Sequence, residues 1–374
     1  MTAFAQAFAA VWREIMARRA VFSILILAVF AYAFYYPLAY QHQTATQIPL
    51  AVVDMDGSAV SRALIRDISA ARGVRVAQVG GNFSEARDLL ERREVDAVVY
   101  IPPDLERGVL TGATPGGLAI FVNGAYLVRA SAAGAALRSV LAGAMEEALG
   151  PPARAIGLQS LTPARVVQRP MFNTREGYGS YAVSGVAILI VHQTLLFGVV
   201  MLAAGWRQER RGPRTPAAFA GTVAAFSLLG MASTLFYVGF VFWFQDYPRG
   251  GNFLGMLVCA LLYVPAIVLM ALFVGGFFDR PERSTQILAS ISAPLFFLSG
   301  LSWPLSAMPA PLAAAAWIIP STPGIEAMVK LNQMGASLGE VAPELTALVA
   351  QILVYGALAG WRWLASTPAE FSPR

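Results

Sequence analysis

One cysteine, one lysine and two histidines in 374 residues leave little of the side-chain chemistry from which most active sites are assembled. The single Cys259 falls inside an apolar run, so no disulfide staples any part of the chain that meets an oxidising compartment. His42 and His192 stand far apart, and H-E-x-x-H, C-x-x-C and G-x-S-x-G are all missing, which removes the common metal and nucleophile sites. A phosphate-cradling G-x-x-x-x-G-K-[ST] loop is excluded as well, because the sole Lys330 precedes Leu331. Charge is scarce: 13% of residues are charged and 57% hydrophobic, against about 25% charged in an ordinary soluble domain. No cofactor and no catalysis within this chain are expected, and any ATP that drives it is hydrolysed elsewhere.

What is abundant is apolar sequence in long runs. Spans read at about 20 to 40, 180 to 205, 217 to 243, 253 to 278, 286 to 303 and 343 to 364 are each long enough for a hydrocarbon core of about 30 Å, the fifth only marginally. The first is too long for a cleaved leader and ends in Tyr36, Pro37 and Tyr40, with no small-residue cleavage site, so it reads as a permanent anchor. Short loops on one side carry Arg13, Arg18, Arg19, Arg207, Arg210, Arg211, Arg214, Arg280, Arg283, Arg362 and Arg374, whereas the opposite short loops carry Arg249 and Lys330. The positive-inside rule then puts both termini in the cytoplasm and residues 41–176 outside. The formal charge of +5 is absorbed by these membrane-flanking turns, which leaves no basic surface for nucleic acid.

Residues 1–19 place Phe4, Phe8, Val11, Trp12 and Ile15 at helical spacing, as in an amphipathic helix lying along the inner surface. A continuous extension of the 20–40 span reads equally well. Residues 41–176 alternate strand and helix. Strands are expected at 49–54, 74–79, 95–101 and 118–122, and helices at 58–71, 83–92 (capped by Asn82), 104–110 and 125–149. Such alternation predicts a small, mostly parallel sheet with helices on its faces. Pro151, Pro152, Pro163 and Pro170 then mark a return linker. Residues 177–374 hold the second to sixth spans, and the stretch at about 304–340, broken by Pro304, Pro309, Pro311, Pro320 and Pro323, predicts short helices re-entering the outer leaflet.

Three groups invite a chemical reading. Asp54-x-Asp56-Gly57-Ser58 after an apolar strand is similar to a phosphatase nucleophile motif, but the domain has no lysine and no later paired-acid motif after an apolar strand, and helix capping accounts for these residues. His192, Gln193 and Thr194 form the most polar cluster inside a span; they either line a pathway or bond neighbouring helices. Glu326 and Lys330, four apart, read as a helical surface pair.

Four segments together carry a resemblance: PLAVVDMDGSAVSR, VVYIPPDLERGVLTG, FDRPERSTQILASISAPLFFLSGLSWPLSAMP and IIPSTPGIEAMVKLNQMG. In their order and spacing the chain resembles the permease subunits of ABC type-2 exporters, the Gram-negative branch with a large periplasmic domain after the first membrane helix. The resemblance covers nearly the whole chain; the turn WRQERRGPRTP is shorter than in many members. It implies an α-helical inner-membrane protein with six transmembrane helices and an inserted periplasmic α/β domain. It also implies a homodimer or paired permease, a cytoplasmic ATP-binding cassette subunit, and in many cases a periplasmic adaptor with an outer-membrane duct. On this reading Trp12, Arg13, Arg207, Gln208, Glu209, Arg210 and Arg211 meet the ATPase subunit, His192, Gln193 and Thr194 line the path, and Ser299, Gly300, Pro304, Pro309 and Pro320 build an outer gate. The rival from another class is a membrane-anchored periplasmic receptor or assembly factor, whose helices only hold the α/β domain.

Overall fold

The computed structural model describes residues 2–38, 47–71, 73–92, 94–105, 107, 118–122, 131–138, 140–141, 143, 178–247 and 249–365. Their elements are α1 (Ala3–Ala17), α2 (Arg19–Leu38), β1 (Ile48–Asp54), α3 (Ala59–Ala70), β2 (Val74–Gly80), α4 (Phe83–Glu91), β3 (Ala97–Ile101) and β4 (Ala119–Val122). Then come α5 (Tyr178–Gln208), α6 (Pro216–Phe244), α7 (Phe253–Gly275), α8 (Pro281–Leu298), α9 (Ala310–Ala316), α10 (Ser321–Gln333) and α11 (Ala342–Leu364). The chain divides into a helical unit, Met1–Gln41 with Pro170–Arg374, and an inserted unit, His42–Arg169.

Among the described residues five helices are long and apolar enough to cross a membrane: α2, α5, α6, α7 and α11. A sixth is counted if the bent pair α9 and α10, which meet at 79°, is taken as one. The fifth expected span corresponds to α8, whose first turns carry Glu282 and Arg283 and which contains Pro294. It is not among the helices that are long and apolar enough to cross a membrane, yet it packs along α5. Gly205 of α5 faces Pro281 at the start of α8, and Gly185 faces Leu301 just past its end. About 20 residues of α5, roughly 30 Å of helix, separate these contacts.

α5 is apolar on all sides because it is buried on all sides, the signature of a central helix. α2 offers it a stripe, Val21, Leu25, Val29 and Ala33, at four-residue spacing, and Leu25 packs where Gly198 has no side chain. Gly275 of α7 lies against Val200 and Ala203 in the same way. Tyr263 of α7, fully buried, donates its hydroxyl to the Ile188 carbonyl at 3.0 Å, while Gly324 of α10 leaves room for the Tyr263 ring.

α1 is a separate helix rather than an extension of α2. Arg18 adopts an extended backbone (φ −100°, ψ 102°) between them, and the Thr2 hydroxyl caps the first turn by accepting from the Ala5 amide. Val11 and Ile15 are its buried residues, with Phe8 and Trp12 packed beside them. Its closest approach is to α6, where a side chain at Gly221 would collide with the Phe4 carbonyl.

The inserted unit holds a four-stranded sheet of order β2-β1-β3-β4, parallel except for β4 against β3. Alternation along β1 sends Ile48, Leu50 and Val52 to one face, where they join Leu64 and Ile68 of α3 and Ala133, Leu137 and Leu141. Ala51 and Val53 point to the other face and meet Ala86 next to Val95 and Val98. The expected strands and the caps of α3 and α4 are therefore present. The expected helix at 125–149 is represented by helical residues 131–138, 140, 141 and 143. Most of the 104–110 helix, and the linker with Pro151, Pro152, Pro163 and Pro170, lie outside the described residues.

Candidate functional site

The Asp54 motif is structural. Asp54 Oδ1 accepts from the amides of Asp56 and Gly57, both at 3.0 Å, and its Oδ2 accepts from the Ser61 hydroxyl at 2.9 Å. Ser58 caps α3 by accepting from the Ser61 amide, and Gly57 takes the left-handed φ of +61° that the turn needs. Asp56 Oδ1 reaches instead to the Leu105 amide at 3.0 Å. Both carboxylate oxygens of Asp54 are thus engaged in organising the turn.

In the helical unit the arginine-rich termini converge. The C-terminal end of α5 gathers α1, α6 and α11 around Trp206, whose ring lies 6.3 Å from that of Phe226. Its indole NH donates to Glu14 Oε2 at 2.8 Å, and its ring meets Trp363 edge-on at 6.1 Å. Trp363 donates to the Leu272 carbonyl at 2.9 Å and fits against Gly212, whose φ of +137° no bulky residue would adopt. Next to it Arg362 donates to the Gly276 carbonyl at 2.9 Å and lies over the Phe277 ring.

A four-residue ion network ties α1 to the turn. Arg18 bonds Glu209 at 2.7 Å and Glu14 at 3.3 Å, while Arg211 bonds Glu209 and reaches Glu14 at 3.5 Å. Burial works against the Glu209 carboxylate, yet hydrogen bonds from Arg211 and Arg18 outweigh it and hold its pKa below the ordinary range. The same bond, donated to Glu209, raises the Arg211 pKa.

Of the residues expected to form a coupling surface, Glu209 and Arg211 therefore belong to this network. Trp12 packs against the helical core, and Arg13 donates to the Ala9 carbonyl of its own helix at 3.4 Å. Arg207 is half-buried; Gln208 and Arg210 are exposed, and the Arg210 carbonyl accepts from Arg214 at 2.7 Å. Glu14 and Arg18, which bring α1 to the turn, were not singled out by sequence reasoning. Their only local signal is the acid–base pair four residues apart.

Deep in α5, His192 is fully buried and neither ring nitrogen has a hydrogen-bond partner among the described residues. Gln193 Oε1 is likewise unpartnered. Thr194 behaves differently, since its hydroxyl donates to the Ile190 and Val191 carbonyls of its own helix at 2.8 and 3.2 Å.

The residues expected at an outer gate shape the segment between α8 and α10. Ser299 closes α8 by donating its hydroxyl to the Phe296 carbonyl at 2.6 Å, and Gly300 follows at φ +82°. Pro304 precedes a short 3₁₀ turn at Leu305–Ala307, Pro309 precedes α9 and Pro320 precedes α10. Polar bonds then pin α10 to its neighbours. Gln333 donates to the Ser184 hydroxyl at 2.7 Å, and Asn332 accepts from the Gly250 and Gly251 amides through its side chain and its carbonyl. Lys330 takes Glu344 of α11 as its ion-pair partner, not Glu326 of its own helix, which corrects the expected surface pair.

With this arrangement in view, a family model described as ABC-2 family transporter protein matches residues 18–361, from the residue after α1 into the last helix. No curated protein matches the chain significantly.

Proposed function

From the premise that this chain belongs to the ABC-2 transporter family, and so is a multi-pass membrane permease working with an ATP-binding subunit, we propose that it exports a small amphipathic compound across a bacterial inner membrane. Both termini would then be cytoplasmic and residues 41–176 periplasmic, in line with the arginine distribution. Two such chains would pair. The inserted unit, with its own core and a motif occupied by capping, serves as scaffold or vestibule and offers a surface on which an adaptor leading to an outer-membrane duct can dock. A family match that runs from α2 into α11 tells against the receptor reading.

The observation that carries this reading is the network of Glu14, Arg18, Glu209 and Arg211 around Trp206. It joins the N-terminal helix to the end of the most buried span, so a push on α1 or the 207–211 turn reaches α5 without a flexible intermediary. Rigid-body tilting of packed helices is the ordinary means of converting such a push into a change of access. His192 and Gln193, whose buried polar atoms lack partners, are proposed to face the path when α5 tilts. Ser299, Gly300, Pro304, Pro309 and Pro320 would form its outer gate.

Charge reversal tests the coupling surface. Arg210→Glu combined with Arg211→Glu should leave ATP hydrolysis by the reconstituted complex running while transport into inverted vesicles falls at least tenfold. Unchanged transport by a correctly inserted variant sinks the assignment.

A further inference from the structure

α10 is bolted to the helices around it. Tyr263 of α7 fits the notch at Gly324 while its hydroxyl donates to the Ile188 carbonyl of α5, and Gln333 donates to Ser184 of α5 at 2.7 Å. The end of α10 and the start of α7 also cap each other. The Asn332 side chain accepts from the Gly250 amide at 3.1 Å, its carbonyl from the Gly251 amide at 3.0 Å, and the Leu331 carbonyl from the Asn252 amide at 2.8 Å. Asn252 in turn donates to the Ala336 carbonyl and accepts from the Gly255 amide, both at 2.8 Å. A side chain at Gly251 would collide with the main chain of Asn332 and Gly335. Any shift of α10 against α7 breaks these bonds together, so α10 travels with α5 and α7.

The stretch before it is built in the opposite way. None of residues 302–315 is buried, and their hydrogen bonds among the described residues stay within the stretch and the turn that follows it. Ala307 bonds Pro304, Met308 bonds Leu305, Leu312 and Ala313 bond Pro309, and the Trp303 indole donates to the Ala307 carbonyl at 3.4 Å. Pro304, Pro309 and Pro311 have no amide with which to reach a neighbour. Both ends, by contrast, are held. Leu301 fills the notch at Gly185 of α5, and Gly300 turns the chain at φ +82° beside the buried Ser299. At the far end Ala316 is fully buried, and the Trp317 and Ile318 carbonyls accept from Gln351 and Tyr355 of α11 at 2.8 and 2.9 Å. Few buried contacts between two firm anchors are the physical content of low local stability.

We propose that residues 302–315 are a lid that flexes between anchors at Leu301 and Ala316, and that α10, clamped by Asn252 and Asn332, is the fixed post beside it. The gate is thereby divided into a moving half, which contains Pro304 and Pro309, and a static half that begins at Pro320. This division rests on the export reading for its purpose. Mobility of the lid, however, is read without transport, so failure of the lid and failure of export are separate results.

The experiment measures distances between spin labels on the full-length protein, with Cys259→Ser as background, in lipid nanodiscs with its ATP-binding subunit. One nitroxide is placed at Phe277→Cys, just past the end of α7, and the other at Leu312→Cys in the lid or Met334→Cys at the end of α10. Leu312 and Met334 are matched in exposure, at 47% and 48%, so a difference between them reports position rather than accessibility. Between the nucleotide-free and vanadate-trapped states the Phe277–Leu312 distance should change by at least about 5 Å, the size of a one-turn shift, and the Phe277–Met334 distance by less than about 2 Å. Hydrogen exchange of the permease alone gives a second measure: amides of residues 305–316 should exchange at least about tenfold faster than those of residues 325–333. An unchanged Leu312 distance overturns the proposal, as does a shift at Met334 as large as that at Leu312, or equal exchange in the two segments.

Discussion

At position 221 a hydrogen atom is all that fits. Any Cβ there meets the Phe4 main chain, and backbone cannot swing aside as a long side chain can. Gly239, on the same helix, meets nothing within 4 Å. Gly221→Val should therefore lower stability by about 1–3 kcal/mol through overpacking and raise hydrogen exchange in residues 3–17, whereas Gly239→Val should do neither. Equal thermal shifts for the two variants would show that α1 is not held at that point. The glycines at 185, 198, 275 and 324 follow the same logic, each admitting a neighbour's side chain or backbone into α5, α7 or α10. In a bilayer, where burying apolar surface between helices gains little over lipid, such close approach is the main source of cohesion.

At the scale of elements, α1 shows how a surface helix is retained. Its apolar face supplies Val11 and Ile15, and the ion network fixes its direction. The sign of the pH effect follows from Glu209. Its folded-state pKa is depressed, so the stabilisation is fully present above the ordinary glutamate value of about 4.3 and is lost as pH falls through the lower folded value. Because these side chains are partly exposed, each pair is worth at most about 1 kcal/mol. Hydrogen exchange of residues 3–17 should accelerate selectively below about pH 4, and Glu209→Gln should remove that pH dependence while leaving α10 and α11 protected. Much of this element was legible in the sequence, because Phe8, Val11, Trp12 and Ile15 recur at helical spacing. Strands β1 to β4 were legible for the matching reason of short apolar runs between turn residues. The partners were not. Arg18 and Glu209 are 191 residues apart and Lys330 and Glu344 are 14 apart across a helix junction, and no local pattern announces either contact. α8 was marginal because its own composition carries two early charges and a proline, while its packing along α5 leaves no local pattern in the sequence.

At the scale of the whole molecule, two separate cores sit on one chain, and the location of the second decides what it can do. The inserted unit closes its core with residues of its own, Leu50, Val52, Ile68, Val99 and Leu137 among them, so its fold does not depend on which side of a membrane it occupies. The arginines supply the missing constraint: moving a cluster such as Arg207, Arg210, Arg211 and Arg214 across a bilayer is far costlier than moving the opposite loops, where Arg249 and Lys330 are alone. A Cys259→Ser background allows this to be read directly, since Cys259 is the only cysteine. A new cysteine at Arg87, on an exposed face of α4, should react with a membrane-impermeant maleimide in intact spheroplasts. One at Gln208, exposed at the end of α5, should react only after permeabilisation. The reverse order would put the inserted unit beside the ATP-binding subunit, where it could not guide an exported compound, and the arginine-rich turn on the side where no ATPase can push it. Both halves of the proposed mechanism would then fall together, because each takes its direction from the same distribution of charge.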